Sequence, residues 1–165
     1  MNMPICESCS ATQMLCSGCL EKQRVGEITD ADVRLAYAIH KNRGDLPDQQ
    51  TGFEKVIAFP SLYVVFTQTP ASLIGKGGRV VNKLKQELGV KKIKVISMQA
   101  SLEEKISEIL LPVKLLGVNT IFKPGGKEYK IRVPRSQALQ LPTDLQALCA
   151  IFTQLLGART IIAFE

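Results

Sequence analysis

The chain has 165 residues, 45% of them hydrophobic and 22% charged, a balance that builds one ordinary domain or two small ones and excludes a disordered chain. No run comes near the roughly 18 apolar residues that cross a bilayer, and the cysteine-rich start lacks the apolar core of an export signal. A cytoplasmic protein with no membrane association is therefore expected, and its net charge of +6 has to be located before it says anything about partners.

Four of the five cysteines lie in the first twenty residues, as Cys6-Glu7-Ser8-Cys9 and Cys16-Ser17-Gly18-Cys19. Two such knuckles present four thiolates to one ion, and a tetrahedral thiolate set suits structural Zn2+. A dithiol redox site, which expects one such pair beside a βαβ pattern, and an iron–sulfur cluster are the competing readings. The segment has few large apolar side chains, so residues 1–27 are expected to form a small four-cysteine zinc-binding domain folded by its ion. Lys22 and Arg24 follow in what reads as a short helix, where they would offset the anionic centre. Four cysteine ligands leave no open coordination position, and no histidine pairs with the knuckles. The expectation is a protein that is not an enzyme and takes no small-molecule substrate.

Further along, Thr29 and Asp32 form a capping box with Ile28 and Val33 as its hydrophobic staple, which predicts a helix to about Asn42. His40, the single histidine, sits on this helix as a packed or surface residue. Phe53 to Phe59 and Leu62 to Thr67 read as two strands joined through Pro60-Ser61. A short helix from Ala71 to Ile74 leads into Gly75-Lys76-Gly77-Gly78. A second helix, Arg79 to Leu88, follows with Val80, Val81, Leu84 and Leu88 on one face and Gly89 as its stop. Lys92 to Ser97 then alternates as a strand.

The same order returns. Ser101 and Glu104 cap a helix that Pro112 closes, and strands at about Leu115 to Phe122 and Tyr129 to Val133 flank a Pro124-Gly125-Gly126 turn. A short helix, a longer one carrying Leu145 to Leu156 with Cys149 on its apolar stripe, and a strand from Arg159 to Phe164 complete it. Setting Tyr63 against Tyr129 aligns the halves, so a duplicated αββααβ unit is the economical explanation, over residues 28–98 and 99–165. The alignment sets Gly75-Lys76-Gly77-Gly78 against Leu141-Pro142-Thr143-Asp144. The second sequence has no glycine, one N–H fewer and an added carboxylate, so it should not cradle a phosphate.

The charge sits at the first turn. From Lys76 to Lys94 there are seven Lys or Arg against the single acid Glu87, so the rest of the chain is close to neutral. Three glycines in four residues let a ligand come close to the backbone, and the start of the following helix offers free N–H groups to an anion. The P-loop pattern is absent, and so is the aromatic sheet signature of an RNA-recognition motif.

An Ile-Gly-Lys-Gly-Gly turn between two helices of an αββααβ unit resembles the KH domain in its type II arrangement. The tandem is similar to the paired KH domains of NusA-like transcription elongation factors, above all the short archaeal ones. The resemblance implies an α+β fold in which the glycine loop clamps the backbone of single-stranded RNA. Gly75, Lys76, Gly77 and Gly78 would form the clamp, with Arg79 assisting and Ile74 lining the groove for bases. Lys83, Lys92 and Lys94 supply the surrounding charge. The second unit would be a degenerate scaffold. The resemblance further implies a role in transcription elongation or termination. The alternative is an interaction module that docks on RNA polymerase or a ribosomal particle through its zinc domain and second unit.

Overall fold

The computed structural model describes residues 3–165 and divides the chain into two compact units, with the boundary between Gln99 and Ala100. The fold is α+β, short helices packed with two three-stranded sheets. Among the described residues no helix is long and apolar enough to cross a membrane.

The first unit opens with two short helices, α1 (Glu7–Thr12) and α2 (Ser17–Arg24), of which sequence reasoning anticipated only the second. Next comes α3 (Asp30–Lys41), which starts at the anticipated capping box. Asp32 accepts hydrogen bonds from the Thr29 N–H at 2.8 Å and from the Thr29 hydroxyl at 3.1 Å. Its other oxygen accepts from the Val56 N–H at 3.2 Å, which ties the helix start to the sheet. Burial raises the pKa of this carboxyl, and its donors act in the opposite sense. Leu35, Ala36 and Ile39 of α3 are fully buried, and Ile28 and Val33 are buried beside them.

The sheet of this unit holds β1 (Lys55–Phe59), β2 (Leu62–Thr67) and β3 (Ile93–Ser97) in that spatial order. Strands β1 and β2 form an antiparallel hairpin, whereas β3 lies parallel to β2. A parallel neighbour needs a crossover connection. Helices α4 (Pro70–Ile74) and α5 (Arg79–Leu88) supply it, and the glycine turn stands at the joint between them. Val80, Leu84 and Leu88 of α5 pack on one face of the sheet, in a core shared with Tyr63, Val65, Ile93 and Val95.

Residues 3–27 fall within the first unit. Ile5, Cys9 and Cys19 are buried in the same core as α3, with Met3 and Leu15 packed at its edge. A segment too poor in large apolar groups to make its own core borrows that of its neighbour.

The second unit holds α6 (Leu102–Leu110), β4 (Gly117–Lys123), β5 (Gly126–Val133), a 3-10 turn at Arg135–Gln140, α7 (Leu145–Leu156) and β6 (Thr160–Phe164). Its sheet repeats the first in order and direction, β4 antiparallel to β5 and β5 parallel to β6. Helix α6 begins at the predicted Ser101–Glu104 capping box. Ile131 and Val133 are fully buried, as are Leu148, Ile151 and Phe152 of α7. Cys149 is half-buried on that helix, where burial raises its thiol pKa.

Candidate metal centre and glycine loop

The two knuckles are built alike. Cys6 is the N-cap of α1 and Cys16 the N-cap of α2, so Cys9 and Cys19 fall at the third helical position of their helices. Each C-x-x-C therefore wraps one helix start. The four sulfurs lie within 4.8 Å of one another, with Cys6 Sγ 3.2 Å from Cys9 Sγ and 3.9 Å from Cys16 Sγ. Metal–sulfur bonds of about 2.3 Å in a tetrahedron put sulfurs about 3.8 Å apart, so the cluster can hold a metal ion with little adjustment. Cys9 and Cys19 are buried, Cys6 and Cys16 exposed.

Backbone donors cross between the knuckles. The Cys16 N–H donates to Cys9 Sγ at 3.1 Å, and the Cys6 N–H donates to the Cys19 sulfur. The Cys19 N–H in turn reaches Cys16, and this donor, helped by the neighbouring sulfurs, pulls the Cys16 thiol down to about 6. On Cys9 the Cys16 N–H favours the thiolate, but burial and the other sulfurs outweigh it and push that thiol up to about 12. Arg24, expected to offset the thiolate charge, instead turns its guanidinium onto Glu21.

In the glycine loop, Gly75, Gly77 and Gly78 all have positive φ, at 76°, 64° and 76°. They are not interchangeable. A Cβ on Gly75 would stand 2.9 Å from the Val80 backbone nitrogen, whereas one on Gly77 would meet nothing within 4 Å. Gly75 thus allows the loop to fold back on α5, and Gly77 faces open space. The Gly78 N–H donates to the Gly75 carbonyl at 3.1 Å, which closes the turn. Gly78 is also the N-cap of α5, where no side chain caps the first N–H groups. Lys76, Gly77 and Arg79 are at least partly open to solvent, and Ile74 is 37% exposed beside them.

The expected cations divide into two groups. Arg79 and Lys83 lie on the first turns of α5, next to the loop. Lys83 is ion-paired with Asp45, which also feels Arg79, and the Lys83 contact holds the Asp45 carboxyl below its ordinary range. Glu87, the one acid of the basic stretch, is paired with Lys41 at 3.4 Å. Lys92 and Lys94 are not brought to the loop. Lys92 precedes β3 beyond the far end of α5, a helix about 15 Å long. Lys94 alternates with Ile93 and Val95 and so takes the sheet face turned away from α5.

Sequence reasoning missed Asp45. It belongs to the Arg43-Gly44-Asp45-Leu46-Pro47 stretch, which carries only a helix-stop signal, and its partner lies 38 residues away. In the second unit, Asp144 caps α7 by accepting from the Ala147 N–H at 2.8 Å. The position matching the glycine loop is filled by the chain's own carboxylate. His40 is half-buried on α3, with Nδ1 among the buried side-chain atoms that lack a hydrogen-bond partner.

No protein-family model matches this sequence, and no curated protein matches it. Its structure is similar to the crystal structure of the archaeal protein APE1850, with a TM-score of 0.57 over 77% of this chain and 96% of that one. At 18% identity the likeness concerns the fold alone.

Proposed function

We propose that this chain is an RNA-binding protein of the NusA-like tandem KH type, with a structural zinc ion in the four-cysteine cluster. The first unit binds single-stranded RNA through Gly75-Lys76-Gly77-Gly78, and the protein acts in transcription elongation or termination. The observation that carries this reading is the open glycine turn at the uncapped start of α5, with Lys76 and Arg79 beside it. Its setting supports the reading. The first unit follows the αββααβ order that the resemblance implies.

In this reading a nucleotide phosphate sits over the loop. It accepts from main-chain N–H groups, and the lysine and arginine side chains add attraction. Ile74 gives the bases an apolar edge. The second unit takes no anion at the matching place, because Asp144 already occupies its helix start. Zinc fixes the two knuckles and does no chemistry, since all four positions are thiolates.

The test is Lys76→Asp combined with Gly77→Asp. A side chain at position 77 enters open space, and aspartate tolerates the left-handed backbone there. Circular dichroism should be unchanged, while affinity for a single-stranded oligoribonucleotide in a filter-binding assay should fall at least about 100-fold, as several phosphates go unneutralised. Unchanged affinity would refute the reading and favour docking on RNA polymerase or a ribosomal particle.

A further inference from the structure

The second unit has lost its glycine loop but holds another surface suited to a nucleic acid, at the tip of the β4–β5 hairpin. Phe122 is 82% exposed at the end of β4. It stands directly across from Lys127 in the antiparallel register, so the two side chains share one face of the sheet. Tyr129, two residues on, shares that face, and the Lys127 ammonium lies 5.4 Å from its ring centroid. The opposite face carries Lys123 and Arg159, which flank Glu128 at 2.6 and 3.9 Å. The tip thus sets three cations against one carboxylate.

Between these side chains the backbone is bare. A Cβ on Gly125 or Gly126 would meet nothing within 4 Å, and Gly126 has φ 140°. An open cleft of about 440 Å³ runs along Lys123 to Glu128 and Arg159. A lone exposed phenylalanine is ordinary. Here it is joined to cations on both faces and to a main chain that a phosphate can approach.

We infer that the β4–β5 hairpin is a second RNA-binding surface, in which one base of a single strand stacks on Phe122 and the neighbouring phosphates lie between Lys123, Lys127 and Arg159. Stacking on an exposed ring tolerates any base, so the hairpin adds affinity without choosing a sequence. Charge complementarity selects the occupant, since a polyanion with flat bases matches both the cations and the ring. The inference rests on the RNA-binding reading above but on different residues.

The experiment uses the full chain and a single-stranded RNA carrying 5-iodouridine, photocrosslinked and mapped by mass spectrometry. Affinities are measured in parallel for wild type, Phe122→Ala, and Lys127→Ala with Arg159→Ala. Crosslinks are expected on the peptide carrying Phe122 as well as on the loop peptide. Phe122→Ala should weaken binding about 5- to 100-fold, with its salt dependence unchanged. The double variant should flatten the log–log salt slope by about 0.7 for each phosphate it no longer neutralises. Crosslinks confined to the loop, with Phe122→Ala binding like wild type, overturn this inference and leave the RNA reading intact. Failure of the Lys76→Asp, Gly77→Asp variant to change affinity while Phe122→Ala abolishes it overturns the loop reading and supports the hairpin. Loss of a co-purifying protein from nuclease-treated Phe122→Ala extracts, at unchanged RNA affinity, assigns the hairpin to protein docking and overturns the inference.

Discussion

Asp45 pairs with Lys83 on the exposed side of α5 and lies close enough to Arg79 to feel its charge, so part of the positive field near the loop is cancelled within the chain. The pair sits in solvent and adds little to stability. Its effect should appear in binding instead. Asp45→Asn should strengthen single-stranded RNA binding by about two- to fivefold at low salt, the worth of one exposed ion pair, and lose that advantage as salt rises. Fluorescence anisotropy across a salt series would check it. The glycines separate in a similar way. Gly75→Ala forces a Cβ against Val80 at positive φ and should cost about 1–3 kcal/mol in a urea titration, while Gly77→Ala adds only backbone strain in open space. Both glycines read alike in the sequence. What distinguishes them is where Val80 packs, which appears only once α5 is in place.

At the level of elements, capping chemistry and the grouping of the four cysteines were legible, and the first cysteine-bearing helix was not. Thr29 with Asp32 and Ser101 with Glu104 marked their helices because a capping box uses only neighbouring residues. Helix α1 has six residues, too few for a periodic signal, and its start is shaped by Cys6 within the sulfur cluster. The placement of the sheet charges likewise depends on the fold. Lys92 and Lys94 are near the loop in sequence, but alternation along β3 and the length of α5 carry them away from it. If the cluster holds a metal as proposed, removing it should act on one region first. A chelator should strip α1 and α2 of their helical signal in far-ultraviolet circular dichroism and leave both sheets, because the knuckles bring little apolar surface of their own to the core. Metal capture should tighten as pH rises through neutrality. In the metal-free chain the Cys9 thiol, at about 12, still carries its proton there and must release it, whereas Cys16, at about 6, is already a thiolate. Calorimetry in two buffers of different ionisation enthalpy would count the protons released.

The two units share a sheet order and strand directions, with two different electrostatic outcomes at the start of the helix before the last strand. The repeat was readable because insertions are few, and the alignment of Tyr63 with Tyr129 also sets the start of α5 against the start of α7. Its asymmetry gives a test of the full chain. If Lys76 and Arg79 of the loop neutralise about two phosphates, they should contribute about −1.4 to the slope of log affinity against log salt. A slope near zero would mean that forces other than phosphate attraction dominate.

Asp144 has a further consequence. The second copy carries its own counter-ion, so the first turn of α7 is self-sufficient whatever surrounds it. The first turn of α5 has no side-chain cap of this kind. The second unit's helix start is thus closed by its own side chain, while under the proposed function the first unit's would be completed by a bound phosphate and gain stability from it.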